Sequence, residues 1–347
     1  MRCTALLAFV CIALGATSSL ADPVEEFYKS KQLRFVIRAA PGGNYDLYMR
    51  LLARYMVRYM PGRPEAVPVN MPGGGGLTAL NYTLNVAPQD GTVLTMVTST
   101  APMEQALGLL KTSNIDLRAL QWIGNMSDEN YFLVTSRESG IRTLEDAIKR
   151  EVRLAGAGVG DTQQILVAIC NSMLGTKFRS IIGYRTGAEM NLAVERREVD
   201  GRSTTNLPAL FATRPDGAAA FHPLLQAGLE KSSEFPDVPL LRDLARTPEQ
   251  KTVFEFLSRA VSPGRPVATN SKVPPDRLAA LRGAFDLAMK DPQLREDAKR
   301  QNLDISPWTG GRLQQMAAEI LDTPAADIAQ IRQAISAGGA DGGRVKK

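Results

Sequence analysis

Four glycine corners hold most of what this sequence offers to chemistry. Residues 35–49 read FVIRAAPGGNYDLYM: a short apolar run stops at Ala40-Pro41-Gly42-Gly43, and helical periodicity follows from Asp46. A strand that turns on glycine into a helix leaves the first N–H groups of that helix without intrahelical partners. With the positive end of the helix dipole behind them, such donors suit a carboxylate or a phosphate. Asn70-Met71-Pro72-Gly73-Gly74-Gly75-Gly76 repeats the pattern some thirty residues on. Gly156-Ala157-Gly158-Val159-Gly160-Asp161 and Tyr184-Arg185-Thr186-Gly187 repeat it again. The expectation is that the chain gathers these corners around one small ligand.

Other chemistries find little support. The third corner misses the dinucleotide fingerprint because Asp161 stands where the sixth position needs glycine or alanine. No Gly-x-x-x-x-Gly-Lys-Ser/Thr phosphate loop occurs, so no nucleotide cofactor is expected. His222 is the only histidine, and nothing around it has metal-ligand spacing. There is no Gly-x-Ser-x-Gly elbow. No catalytic residue, metal or cofactor is assigned, and the chain is not read as an enzyme. Cys170 ends the apolar run Ile165–Cys170 and reads as a buried structural thiol. Tyr45 and Trp308 read as packing aromatics before pocket ones. Arg265, in Pro263-Gly264-Arg265-Pro266, is balanced between a cleft mouth and a solvated surface.

The elements that must position these corners follow from periodicity. Met1-Arg2, an apolar run from Ala5 to Gly15, and small residues at Ser19 and Ala21 read as a cleavable export signal over residues 1–21. The apolar run is too short for a membrane span, which needs roughly 20 residues. After it, short β-like runs alternate with helical ones: Leu33–Ala39, Asp46–Tyr59, Val67–Asn70, Leu77–Val86, Thr92–Thr98. Such alternation argues for a parallel sheet covered on both faces. Trp122–Thr135 is an extended crossing stretch. The alternation then restarts with Thr143 as a helix cap, strands at Arg153–Ala155 and Ser180–Gly183, and a helix over Glu189–Arg197. Thr252–Ala260 and Pro266–Thr269 read as the return, followed by helices over Arg277–Lys290, Glu296–Asn302 and Gly311–Asp322. The expected architecture is α/β, with two lobes joined by a hinge around a cleft. Lobe 1 takes residues 25–125 plus 262–335, lobe 2 takes residues 126–261, and residues 337–347 form a disordered tail. The 347-residue chain carries 41 Lys and Arg against 36 Asp and Glu, a net of +5. These charges are interspersed, so no nucleic-acid surface is marked.

Read in order, the corners resemble those of the solute-binding receptors of tripartite tricarboxylate transporters, the Bug-type periplasmic receptors. The resemblance rests on Ala40–Asp46, Asn70–Gly76, Ala87-Pro88-Gln89-Asp90-Gly91-Thr92, Ala155–Gly160 and Tyr184–Ala188. It continues through Glu198-Val199-Asp200-Gly201, Phe235-Pro236-Asp237-Val238-Pro239 and the helix start Pro274–Arg277. It implies a type II periplasmic binding protein fold and capture of a small organic acid, usually a di- or tricarboxylate. Delivery would be to a membrane permease of one large and one small subunit, with the receptor acting as a periplasmic monomer. The alternatives are a ligand sensor for a membrane signalling partner, or a periplasmic enzyme acting on a small acid.

In that family the acid is held largely by backbone N–H groups, hydroxyls and bridging waters, without an arginine clamp. The resemblance therefore assigns ligand contacts to Pro41, Gly42, Gly43 and Asn44, to Gly73, Gly74 and Gly75, and to Thr98 and Ser99. From the second lobe it adds Gly158, Gly160, Asp161, Thr162, Thr186, Gly187 and the acidic position Asp200. Asp161 stands where many relatives place a hydroxyl, and it reads first as a helix cap. Were it to face the cleft, it would favour a ligand bearing an amine or hydroxyl. On this reading, Gly43→Val would fill the donor pocket and abolish binding without unfolding the lobe.

Overall fold

The computed structural model describes residues 22–110, 114–158, 161–184, 186–205, 207–211 and 213–339. The expected export signal, the last eight residues and Gly160 lie outside them.

Alternating and continuous apolar runs form the strands. In chain order the first four are β1 (Gln32–Ile37), β2 (Glu65–Asn70), β3 (Val93–Met96) and β4 (Leu120–Asn125). Five follow as β5 (Tyr131–Ser136), β6 (Val152–Gly156), β7 (Phe178–Ile182), β8 (Gly201–Thr204) and β9 (Phe221–Ala227), and β10 (Pro266–Asn270) and β11 (Trp308–Thr309) return. They make two sheets, β11-β4-β10-β3-β1-β2 and β7-β6-β8-β5-β9. Each sheet heads one lobe.

Neither sheet is wholly parallel, which corrects the expectation from alternation alone. β2, β1 and β3 run parallel, but β10 is antiparallel to both β3 and β4. In the second sheet β7, β6 and β8 run parallel while β5 is antiparallel to β8 and β9. The reason is the hinge. A strand that enters a lobe from the other one starts at the cleft edge, whereas strands built by strand–helix crossovers end there. β5 and β10 are those entering strands.

The two crossing segments are tied to each other. Met126 N–H donates to the Arg265 carbonyl at 3.1 Å, Gly264 N–H to Ser127 at 2.8 Å, and Glu129 N–H to Ser262 at 2.9 Å. The Asn125 side chain accepts from Arg265 N–H at 2.8 Å. A Cβ at Gly264 would overlap the Glu129 side chain, so this close approach needs glycine.

Apolar packing fills both lobes. Phe35, Leu52, Met96, Ile123 and Phe285 belong to the core beneath the first sheet. A second core runs through both lobes, from Trp122 and Leu313 to Leu133, Ile165 and Phe254. The helix Ala325–Ala337, which periodicity did not mark, packs on helices Thr162–Ile169 and Pro248–Val261. Gly338 continues that contact: its carbonyl accepts from Asn171 Nδ2 at 3.2 Å. Helix Ala325–Ala337 and Gly338 thus lean on the second lobe.

Candidate functional site

Between the lobes lies a cavity of about 650 Å³, within the range typical of small-molecule sites. The first lobe supplies most of its wall: Arg38 and Tyr45 after β1, Gly74–Leu77 after β2, and Val97–Ala101 after β3. Tyr131, Asp161 and Thr162 come from the second lobe. All of these sit at the cleft ends of strands, where open α/β sheets hold their ligands.

The Gly73–Gly76 corner faces this space. Its four glycines have φ of 132°, 54°, 65° and 107°, a left-handed path that residues with a Cβ rarely follow. The Gly75 carbonyl accepts from Thr98 Oγ1 at 3.2 Å and from Arg38 Nη2. A Cβ on Gly76 would overlap Arg38 Nε and press on Thr98. The corner's carbonyl is thereby turned inward onto Arg38 and Thr98. Gly76 N–H donates to the Gly73 carbonyl at 2.9 Å and Leu77 N–H to the Gly74 carbonyl, which leaves the Gly74 and Gly75 N–H groups as the corner's donors without a partner among the described residues. Beyond β3, Thr100 Oγ1 donates to Glu104 Oε1 at 2.7 Å, and Glu104 lines the same cavity.

The Pro41–Asn44 corner is arranged differently. Asp46, only 3% exposed, folds back over it. Its carboxylate accepts from Gly42 N–H at 2.9 Å, from Arg50 Nε at 2.8 Å and from Asn70 Nδ2 at 2.8 Å. Burial by itself would raise the pKa of Asp46, but these bonds outweigh it and hold the carboxyl below its ordinary value. That carboxylate claims the Gly42 N–H, which lies ahead of helix Asn44–Met56. Pro41, Gly42, Gly43 and Asn44 take no part in the cavity wall, and Tyr45 is the residue of this segment that does.

Two arginines sandwich Tyr45. The Arg38 guanidinium lies 4.4 Å from the ring centre and that of Arg265 lies 4.9 Å from it. Arg265 is neither at the mouth nor on the surface. It is 6% exposed, ion-paired to Glu129 at 2.6 Å and stacked on Tyr48 at 4.8 Å. Burial pushes the Glu129 carboxyl up despite this pair. A continuous stack therefore joins the cavity wall to the hinge.

On the second wall, Asp161 both caps and lines. Its Oδ1 accepts from Gln163 N–H at 3.4 Å at the start of helix Thr162–Ile169, and the residue faces the cavity. Burial raises its pKa, against the lowering effect of the Gln163 and Thr162 N–H groups. A Cβ on Gly156 would overlap the Gln164 amide, which explains a glycine there without a ligand. Gly158 stands clear of the wall.

The remaining second-lobe positions lie elsewhere. Thr186 caps helix Gly187–Glu195 by accepting from Glu189 N–H at 3.1 Å, and the Gly187 carbonyl accepts from Arg202 Nη1 at 2.7 Å. Asp200 precedes β8, at the end of the sheet away from the cleft. It accepts from the backbone of Arg153 at 2.8 Å and from its guanidinium at 2.9 and 3.2 Å. Asp200 is thus a strap between β6 and β8, and its placement at the far edge corrects its assignment to the ligand.

Of the sixteen assigned positions, the cavity gathers Gly74, Gly75, Thr98, Ser99, Asp161 and Thr162, with Gly73 just outside. Sequence reasoning missed Arg38, Glu104 and Tyr131. Arg38 was findable, since it is the residue directly after a buried strand at the cleft edge. Cys170 is fully buried, and burial pushes its thiol up, away from reactivity. Among the described residues no cluster of three or more metal-ligating side chains occurs.

Two α/β lobes, a double crossing and an interlobe cavity define the class of two-lobed periplasmic binding proteins. A solved TctC solute-binding protein from Polaromonas shares the fold, with a TM-score of 0.69 at 18% identity over 87% of this chain and 98% of that one. MatC from Rhodopseudomonas palustris, with bound malate, gives 0.60 at 16% identity over 88% and 99%. An R. palustris protein with adipate gives 0.59 at 16% over 89% and 97%. Among curated relatives, the UPF0065 protein in gbd 5'region of Cupriavidus necator is 24% identical, over 94% of this chain and 95% of its own length. BugT of Bordetella pertussis (strain Tohama I) is 27% identical over 70% and 75%. The profile of the tripartite tricarboxylate transporter family receptor, TctC, matches residues 56–335. This chain belongs to that family.

Proposed function

We propose that this protein is an exported, periplasmic receptor that captures a small organic acid and delivers it to the membrane permease of a tripartite tricarboxylate-type transporter. The observation that carries this reading is the Gly74–Gly76 corner. It opens onto an interlobe cavity with Arg38 beside it, so the Gly74 and Gly75 N–H groups and one guanidinium are the donors a carboxylate would meet there. Support comes also from the malate and adipate held by relatives of the same fold. On this reading the function is binding without turnover. No helix among the described residues is long and apolar enough to cross a membrane. The receptor is read as a monomer that meets its permease from outside the bilayer.

Closure about the Met126–Asn130 and Ser262–Arg265 crossings would bury the acid between the walls. Thermal-shift screening with mono-, di- and tricarboxylates, amino acids and aromatic acids tests the reading. A ligand at a hundred times its Kd should add about 2.7 kcal/mol of stability. Native mass spectrometry of freshly purified protein provides an independent check by identifying a retained acid. If no acid shifts the midpoint and none is retained, the receptor reading is wrong.

A further inference from the structure

Which acid the cleft takes is a question of its charges, and the answer rests on the receptor reading above. The cavity wall carries one guanidinium, Arg38, and two carboxylates, Glu104 and Asp161. Arg38 and Glu104 belong to the first lobe, Asp161 to the second. Among the described residues no Arg or Lys lies within ion-pair distance of Asp161 or of Glu104. Among the described residues that line the cavity, carboxylates therefore outnumber guanidinium groups two to one.

The distribution matters more than the sum. On the first wall the Gly74–Gly76 corner and Arg38 present donors and positive charge. On the second, the donors at the start of helix Thr162–Ile169 meet Asp161, which accepts from Gln163 N–H. The second wall thus shows a ligand a carboxylate, where an unfilled helix start would show it N–H groups. A ligand carboxylate placed there would meet like charge in a half-buried setting, where screening is weak. A protonated amine would meet opposite charge. Tyr131 connects the walls. It lines the same cavity, and its hydroxyl is pushed up first by burial and then by the carboxylates of Glu129 and Asp161.

We infer that the ligand is a small aminocarboxylic acid, with its carboxylate against Gly74–Gly76 and Arg38 and its ammonium group against Asp161. Such a zwitterion satisfies both walls at once. A dicarboxylate satisfies the first and is repelled by the second.

Isothermal titration calorimetry on the full-length mature protein tests this with matched pairs in which an ammonium group replaces one carboxylate. The pairs are β-alanine with succinate, 4-aminobutyrate with glutarate and 5-aminopentanoate with adipate, run beside the twenty proteinogenic amino acids. The expected result is an amino acid that binds at least tenfold tighter than any of the dicarboxylates. Asp161→Asn keeps a capping side chain and removes the charge. It should weaken that amino acid at least tenfold and leave dicarboxylate affinity the same or higher. Tighter binding of a dicarboxylate by the native protein would overturn the inference while leaving the receptor reading intact. So would an amino-acid preference unchanged in the Asp161→Asn protein. If no acid of either kind binds, both readings fall.

Discussion

Two glycine corners of the same lobe, Pro41–Asn44 and Gly73–Gly76, look alike in sequence and differ in what they do. The first is closed by Asp46, which lies four residues beyond Gly42 and takes its N–H. The second has no acidic residue to fold back over it, and Gly74–Gly76 open onto the cavity. A glycine corner's donors can be claimed by a side chain, as at Gly42, or by its own backbone, as at Gly76, and only those left over are offered to a ligand. The second lobe repeats the lesson, since Asp161 caps a helix start that faces the cleft.

Removing Asp46 should break the contrast most strongly. Asp46→Ala removes a buried carboxylate and its bonds from Gly42 N–H, Asn70 and Arg50, at a cost of about 1.5–3 kcal/mol. Urea denaturation measures that loss. Ligand affinity should change by less than about threefold, because Asp46 does not line the cleft; a large loss of affinity would put the first corner back into the site. Gly76→Val acts on the second corner. At φ 107° a branched residue is strained by about 1–3 kcal/mol, and its side chain displaces Arg38. Calorimetry should show ligand affinity lower by a hundredfold or more. Native affinity in this variant would remove the corner from the site.

The two aspartates also predict opposite responses to acid. The Asp46 carboxyl is held below its ordinary value. Its stabilising contribution is present above the unfolded carboxylate pKa of about 3.9 and lost as pH falls through its lower folded value. The Asp161 carboxyl is raised. Its contribution is fully present below the unfolded pKa and is lost as pH rises through the folded one. Unfolding free energies from pH 3 to 7 should then show Asp161→Asn more stable than the native protein at neutral pH, and Asp46→Asn less steeply destabilised by acid. An Asp161→Asn protein that is weaker at pH 7 contradicts the burial argument. The smallest effect belongs to Gly43→Ala. Gly43 has φ −77° and room for a Cβ, so stability should move by less than about 0.5 kcal/mol and affinity by less than twofold. The structure moves the expected loss of binding from Gly43 to Gly76.

These contrasts also say what could be read from the sequence. Strand–turn–helix corners are local, and the order in which they occur was enough to resemble one receptor family and to indicate two lobes. The antiparallel course of β5 and β10 was not legible, because it depends on which strands enter from the hinge. β9 (Phe221–Ala227) was missed: its apolar run is interrupted by His222, Pro223 and Gln226, and Gln226 is fully buried through bonds to Phe235 and Val238. Within the site, the glycines were visible but the side chains that claim or spare them were not. Asp46 and Arg38 act through folded geometry, one by turning back on Gly42, the other by reaching from β1 to Gly75. Asp200 shows the converse error. An acidic residue beside a strand was visible, but which end of the sheet it occupied was not.

The central claim is that the acid sits on the Gly74–Gly76 corner and not on the Gly42–Asn44 corner. Amide chemical-shift mapping of ¹⁵N-labelled protein, titrated with the tightest-binding acid from the calorimetric panel, tests it directly. The predicted result is large, saturable shifts at Gly74, Gly75, Gly76 and Leu77, with changes at Arg38 and Asp161, and little movement at Gly42, Gly43 and Asn44. Dominant shifts at Gly42–Asn44, with Gly74–Gly76 unmoved, would contradict the account.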